Sequence, residues 1–268
     1  MSLFKQAFMP PRPSAVISDV GDVLKSRTRF FASRRSNLRF LLERRYGWMN
    51  DFIGAEDAGI EVGSGAGFSR EFIRNRNYEL TDCADFEWLD RNVDATQLPY
   101  ASESLDFVIE SNMIHHLASP AAFLTEAHRV LKPGGVLLIQ DVWGSLLLRL
   151  LCRLLKTEGY SYDVDVFDPR ADCCDRDNAW AGNNVIPNLL FSDRDRVERE
   201  FGLRVETLVH SEVLLFPMSG GVTSHFPVPT LPDAMLRLVE RVDRVLARVS
   251  PDVFALQVRA VLRKVHAA

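Results

Sequence analysis

The run Glu61-Val62-Gly63-Ser64-Gly65-Ala66-Gly67, entered from an apolar lead-in, leaves the chain little choice of local structure. Glycines on alternate positions allow a sharp backbone turn, and they let a ligand lie against the main chain with no Cβ in the way. A helix opening just after Gly67 would aim further free N–H groups at the same ligand. The acid at Glu61 narrows the choice of ligand, because it repels a pyrophosphate and suits a cationic group.

Apolar runs of strand length then alternate with helical periodicity. Residues 59–62 read as a strand, 67–75 as a helix after the turn, and 78–81 as a second strand ending at Asp82. A strand at 105–109, a helix at 120–131 closed by Lys132-Pro133-Gly134-Gly135, and a strand at 136–139 follow. After a gap come a helix at 193–201, a strand at 204–209, a helix at 233–249 and a last strand within 254–265. This rhythm predicts an α/β fold with a mostly parallel sheet and helices on both faces.

With 268 residues, the chain has room for one full α/β domain with appendages or for two small ones, and its 47% apolar content supplies a core. Residues 46–268 fit the domain, with an insertion or lid at about 142–191 where the alternation lapses. Residues 1–45 fit an N-terminal extension, proline-dotted at first and then basic. Within 25–45, Lys25, Arg27, Arg29, Arg34, Arg35, Arg39, Arg44 and Arg45 stand against the single acid Glu43. Phe30, Phe31, Leu38 and Phe40 to Leu42 are interleaved with them, which predicts an amphipathic helix. Its basic side is either a solvated face or a docking surface for phosphate groups.

A net charge of −4 argues against a dedicated nucleic-acid binder. No apolar run approaches the roughly 18 residues of a membrane-spanning helix, and the opening residues lack the apolar stretch of a secretory signal. The chain therefore reads as soluble and cytoplasmic. The leucine-arginine run at 146–155, together with the basic extension, permits peripheral contact with an anionic membrane at the inner face. Cys83, Cys152, Cys173 and Cys174 show no C-x-x-C spacing, and they read as reduced thiols.

A nucleoside-bearing ligand in such a fold needs an acid at the end of the second strand for its ribose hydroxyls. Asp82 stands nineteen positions beyond Gly63. Asp94 can accept an exocyclic amine of adenine. Two ligands satisfy these demands, a nicotinamide dinucleotide and S-adenosylmethionine. The dinucleotide fingerprint wants a third glycine where Phe68 stands, so it fits poorly.

Residues 59–140 resemble the class I S-adenosylmethionine-dependent methyltransferases. The blocks that carry the resemblance are 59–67, Asp82, 93–100, 104–117 and 129–139. The resemblance implies a Rossmann-like seven-stranded sheet. It places the cofactor beside Glu61, Gly63, Ser64, Gly65, Gly67, Asp82, Asp94, Ala95 and Glu110. The interval of twelve residues between Asp82 and Asp94 leaves the usual intervening helix short or missing, with Phe86, Trp88 and Leu89 to wall the adenine. A weaker resemblance, in Trp180-Ala181-Gly182-Asn183-Asn184-Val185-Ile186-Pro187 and the late Ser219-Gly220-Gly221, is to methyltransferases of saccharides or envelope glycans.

Methyl transfer from a sulfonium demands mainly positioning, with a base needed where the acceptor is a weakly acidic hydroxyl. His115 and His116 follow the fourth strand; they pack in the loop, or His115 serves as that base. The stretch 158–177 holds seven acids but completes no calcium loop, so no metal is expected. It is either a solvated loop or an acceptor pocket in which Tyr160, Tyr162, Phe167 and Trp180 stack on a sugar and Asn183 and Asn184 bond its hydroxyls. The expected activity is methyl transfer to O or N of a small-molecule acceptor, with a saccharide or lipid-linked glycan precursor in view. The alternatives are a cofactor-binding partner subunit without catalysis, a nucleic-acid methyltransferase and a nicotinamide oxidoreductase.

Overall fold

A computed structural model describes residues 6–9, 20–33, 36–156, 158–178, 181–223 and 227–265. Its frame is one seven-stranded sheet of β1 (Gly59–Val62), β2 (Tyr78–Asp82), β3 (Arg91–Asn92), β4 (Leu105–Ser111), β5 (Leu131–Val142), β6 (Leu203–Ser211) and β7 (Gln257–Lys264). The strand order is β3-β2-β1-β4-β5-β7-β6. β1 to β5 run parallel, and β7 inserts antiparallel between β5 and β6. The chain leaves β1 towards one edge and returns at β4 towards the other. The β1/β4 boundary is therefore the switch point at which such sheets hold ligands beyond their strand ends.

Alternate residues of the central strands feed two separate cores. Ile60, Val62, Val108, Leu137 and Ile139 pack with Phe123, Leu124 and Ala127 of α3 (Pro120–Val130) and with residues of α5 (Ile186–Phe191) and α6 (Arg194–Phe201). Phe107, Ile109, Val136 and Leu138 face the other way, towards Phe30 of α1 (Val20–Ala32) and Leu38, Leu42 and Tyr46 of α2 (Asn37–Gly47). Helices thus cover both faces.

Strand positions match the sequence pattern, and three helical expectations change. After the glycine turn only a short 3-10 turn forms, Phe68–Glu71. Gly67 at φ 67° ends the turn in a left-handed conformation, and α1 and α2 fill the space on that face instead. The single basic helix expected at 25–45 is two helices, because Ser36 caps α2 by accepting the Arg39 N–H at 3.1 Å. Arg34 and Arg35 lie outside the described residues. Finally, α3 stops at Val130, and Lys132 to Gly135 already belong to β5. The interval 142–191 holds α4 (Leu146–Leu155), followed by turns up to α5. All four cysteines are free thiols.

The far side is closed by α7 (Leu215–Met218), α8 (Asp233–Val249) and α9 (Pro251–Phe254). The N-terminal layer is locked to this end by a bidentate pair, Arg45 Nε to Glu212 Oε1 at 2.9 Å and Arg45 Nη2 to Glu212 Oε2 at 2.7 Å. Both side chains are buried, 4% and 2% exposed. Removing one partner of a buried pair leaves the other charge uncompensated. Arg45→Met is expected to cost about 3–5 kcal/mol in urea unfolding, and the double variant Arg45→Met/Glu212→Leu to recover most of it. A single variant within 1 kcal/mol of the parent would contradict this.

Candidate active site

The turn after β1 is built for close approach. Gly63, Gly65 and Gly67 all have positive φ, at 65°, 47° and 67°. A Cβ on Gly63 would strike Met113 at 2.4 Å, so the β1 turn and the turn after β4 touch there. A Cβ on Gly65 would meet nothing within 4 Å and would project into open space. That combination is what a ligand lying on bare backbone requires.

Asp82 is tied to this turn: its Oδ2 accepts the Gly65 N–H at 2.8 Å and its Oδ1 accepts the Ala84 N–H at 2.9 Å. Ser64 faces inward, taking the Thr81 N–H on its hydroxyl at 3.1 Å and donating to the Glu61 carbonyl at 3.1 Å. Trp88 stacks on Phe86, with ring centres 4.9 Å apart, and donates its indole N–H to the Gly65 carbonyl at 2.8 Å. Arg27 of α1 lies 4.5 Å over the Trp88 ring and donates to the Ala66 carbonyl at 2.6 Å. On the other side, Arg29 reaches the Val222 carbonyl at 3.1 Å, just past Gly220 and Gly221. The N-terminal helix therefore clamps the turn to the late Ser-Gly-Gly segment. Asp94 is exposed beyond β3, where its Oδ1 accepts from the N–H and hydroxyl of Thr96 at 2.8 and 2.7 Å, with the half-buried Ala95 between them.

Glu61 and Glu110 do not face the open space that the resemblance suggests for them. Glu61 is 1% exposed behind the turn, where Ser69 donates to it; burial raises its pKa to about 7. Glu110 is fully buried, and its Oε1 accepts the N–H groups of Met113 and Ile114 at 2.6 and 3.0 Å. Each carboxyl shapes the turn that follows its own strand.

Behind the β4 turn lies a chain of buried titratable groups. Burial, reinforced by the adjacent Asp141 charge, drives the Glu110 pKa well up. Burial would also raise Asp141, but His115 outweighs it and the net shift is downward. Asp141 Oδ1 meets His115 Nδ1 at 2.5 Å, and Oδ1 also accepts the Val142 N–H at 2.5 Å. Burial pulls the His115 pKa down, yet the Asp141 carboxylate prevails and the net shift is upward. His116 is lowered to about 4 by burial and by the neighbouring His115. His115 Nε2, on the far side of the ring from Asp141, stands 3.7 Å from Glu158.

The inserted segment encloses this histidine. The His115 carbonyl accepts the Asn183 N–H at 2.8 Å and the Cys174 thiol at 3.1 Å. The Asn183 side chain is spent on the backbone of Ser161 and Cys173; the Asn184 amide nitrogen donates to the Gly159 carbonyl at 3.2 Å, and its buried Oδ1 has no hydrogen-bond partner among the described residues. Tyr160 is buried, and Phe167 stacks on Phe201 in the core at 5.8 Å. These four residues are structural, which corrects the expectation that they present stacking faces and hydroxyl partners to a sugar. Trp180 lies outside the described residues.

Gly65 and Asp82 are thus brought together, as are Glu110, Asp141 and His115, and the two groups meet at Gly63 and Met113. Asp141 and Glu158 are contributions the local patterns do not announce as a pair with His115. Asp141 does leave a trace, as a charged residue at the end of the apolar run Val136 to Ile139. His115, His116 and Glu158 also offer three ligand atoms within 4.8 Å of one another, a set able to hold a divalent cation.

Residues 60–139 match the family model described as "Methyltransferase domain". A ubiquinone biosynthesis O-methyltransferase of Cereibacter sphaeroides is 40% identical over 48 residues, 18% of this chain and 19% of that relative. The chain spans less than a quarter of the length of the curated relatives it matches. Among solved structures, a chain from the complex between the Haloferax volcanii Trm112 methyltransferase activator and a methyltransferase superposes with TM-score 0.51 at 15% identity, over 94% of this chain and 99% of that one. A geranyl diphosphate methyltransferase in complex with SAM gives 0.50 at 14% identity, over 98% and 100%. At such identities the structural likeness establishes the fold.

The raised pKa of Glu110 has a consequence for stability. The unfolded chain releases this proton as pH rises past the ordinary 4.5, whereas the folded chain retains it, so stability falls with rising pH. Glu110→Gln keeps a neutral group of the same shape. Thermal unfolding between about pH 5 and 8 is expected to show the parent losing stability relative to the variant; parallel curves would contradict it.

Proposed function

We propose that this chain, whose central domain belongs to the class I S-adenosylmethionine-dependent methyltransferases, transfers the sulfonium methyl group to a hydroxyl oxygen of a small-molecule acceptor. The family binds S-adenosylmethionine, and the residues present suit that cofactor. Gly63, Ser64, Gly65 and Gly67 form the bare turn, Asp82 serves the ribose, and Asp94 with Ala95 meets the adenine. Glu61 and Glu110 act through the turns they hold. When bound, the cofactor supplies an activated methyl group; the protein's part is alignment and removal of a proton.

The observation that carries the choice of oxygen is the Asp141–His115 contact at 2.5 Å. A weakly acidic hydroxyl needs a base during in-line displacement, whereas a neutral amine does not. Asp141 fixes the ring, presents Nε2 on the side away from itself, and stabilises the imidazolium that forms as the proton arrives. Glu158 faces that nitrogen and adds to the same effect. The Cereibacter relative is named for O-methylation, which agrees with this choice. Saccharides and lipid-linked glycan precursors are acceptor classes to screen on the sequence resemblance around 180–187 and 219–221 alone, since Asn183, Asn184, Tyr160 and Phe167 are buried within the protein. A second reading uses His115, His116 and Glu158 to hold a divalent cation that binds the acceptor oxygen; chelation by EDTA abolishes turnover in that case and leaves it unchanged in the first.

Incubation with labelled S-adenosylmethionine and a panel of nucleotide sugars and glycolipids tests the activity. Cofactor binding with no transfer to any hydroxyl would favour the non-catalytic partner subunit. His115→Ala is expected to lower kcat by about a hundredfold or more while cofactor affinity holds. The rate of the parent should rise with pH through a midpoint above the ordinary 6.5 of histidine, since the neutral ring is the active form. In Asp141→Asn the midpoint should move down, and an unmoved midpoint would remove His115 from the base role. Asp82→Ala is expected to weaken S-adenosylmethionine binding by about 1–3 kcal/mol, and Gly65→Val to abolish it; unchanged affinity in calorimetry would displace the ligand from this turn.

A further inference from the structure

Helix α8 has two apolar sides, and the protein uses one of them. Inward, Leu236 and Ala247 are buried, and Asp243 accepts the N–H groups of Val213, Leu214 and Leu215 at 2.9, 2.8 and 2.9 Å. Outward, Met235, Leu238, Val242, Val245 and Val249 are exposed by 50, 60, 42, 60 and 74%. Their alternating spacing of three and four residues puts them on one stripe along the whole 17-residue helix. Arg237, Arg241, Arg244 and Arg248 repeat at spacings of four, three and four, and they form a second exposed row beside the stripe. Arg244 is paired within the helix, its Nη2 3.6 Å from Glu240 Oε1, and it remains exposed like the other three.

From this juxtaposition of an exposed apolar stripe and a parallel arginine row, we infer that α8 docks the protein on an anionic lipid surface. The stripe enters the boundary between headgroups and acyl chains, and the arginines meet the lipid phosphates. Charge decides the occupant. A second copy of α8 laid antiparallel on the same stripe would set arginine row against arginine row, whereas a phosphate-bearing surface complements both features at once. α9, which follows α8 directly, packs against α4, and there Leu150 and Leu154 are 49% and 77% exposed beside Arg149 and Arg153. The leucine-arginine face noted in the sequence is thus a neighbour of α8, through α9. None of the described helices is long and apolar enough to cross a membrane, so the contact is one of surface attachment.

Sedimentation with vesicles tests the inference independently of the reaction. The full chain is expected to bind vesicles of phosphatidylcholine mixed with phosphatidylglycerol, to bind pure phosphatidylcholine far less, and to be released by salt. Each arginine near an anionic surface strengthens partitioning roughly fivefold, so Arg241→Glu/Arg244→Glu should weaken it by more than about twentyfold. Leu238→Gln/Val245→Gln should lower it by at least about tenfold. Both variants change exposed side chains, and unaltered melting curves would show that they fold. Absence of binding to the anionic vesicles, or equal binding to both compositions, would overturn the inference. So would light scattering that finds a dimer converted to monomer by Leu238→Gln/Val245→Gln.

Discussion

The contact between Asp141 and His115 is the constraint around which the rest of the site is arranged. A carboxylate without solvent access is costly unless its charge is answered, and here two groups answer it. His115 approaches Oδ1 at 2.5 Å and the Val142 N–H donates to the same oxygen at 2.5 Å, while burial beside this charge drives the Glu110 pKa well up. These two carboxyls fix the turn after β4, because Glu110 receives the N–H groups of Met113 and Ile114 and Asp141 that of His115 at 3.4 Å. Met113 in turn abuts Gly63, so the geometry of the two strand ends at the switch point is set by one buried network.

The remaining elements make that network useful. The sheet order brings β1 and β4 side by side although 42 residues lie between their ends and starts. α1 reaches over the glycine turn through Arg27, and the segment between α4 and α5 wraps His115 with Asn183 and Cys174. Water is thereby kept from the imidazole, a condition that strengthens its contact with Asp141, while Gly65 of the turn stays open.

Much of the fold was legible because its signals are local. The apolar runs of β1, β2, β4 and β5, the glycine turn and the helix at 233–249 each depend on periodicity or on glycine geometry within a few residues. The absent helix after β1 was not legible, because Phe68 to Ile73 carry a helical apolar pattern that packing against Phe30 from α1 overrides. In the site, Gly65 and Asp82 could be paired from strand-end logic, and the structure joins them. Glu158 could not be paired with His115, since 42 intervening residues decide their distance. The asparagines and aromatics of the inserted segment misled for a related reason: Asn183 and Phe167 have the chemistry of a sugar site, but nothing local says whether backbone or ligand takes up their bonds.

The proposed reaction requires a sulfonium nucleoside lying across the glycine turn with its methyl group directed at an acceptor oxygen held by His115. A crystal structure with S-adenosylhomocysteine and a methylated product measures this directly. It should place the ribose on Asp82, the sulfur beside Met113, and the methylated oxygen within hydrogen-bond reach of His115 Nε2, about 2.6–3.2 Å. A nucleoside bound away from the turn, or an acceptor oxygen remote from His115, would contradict it.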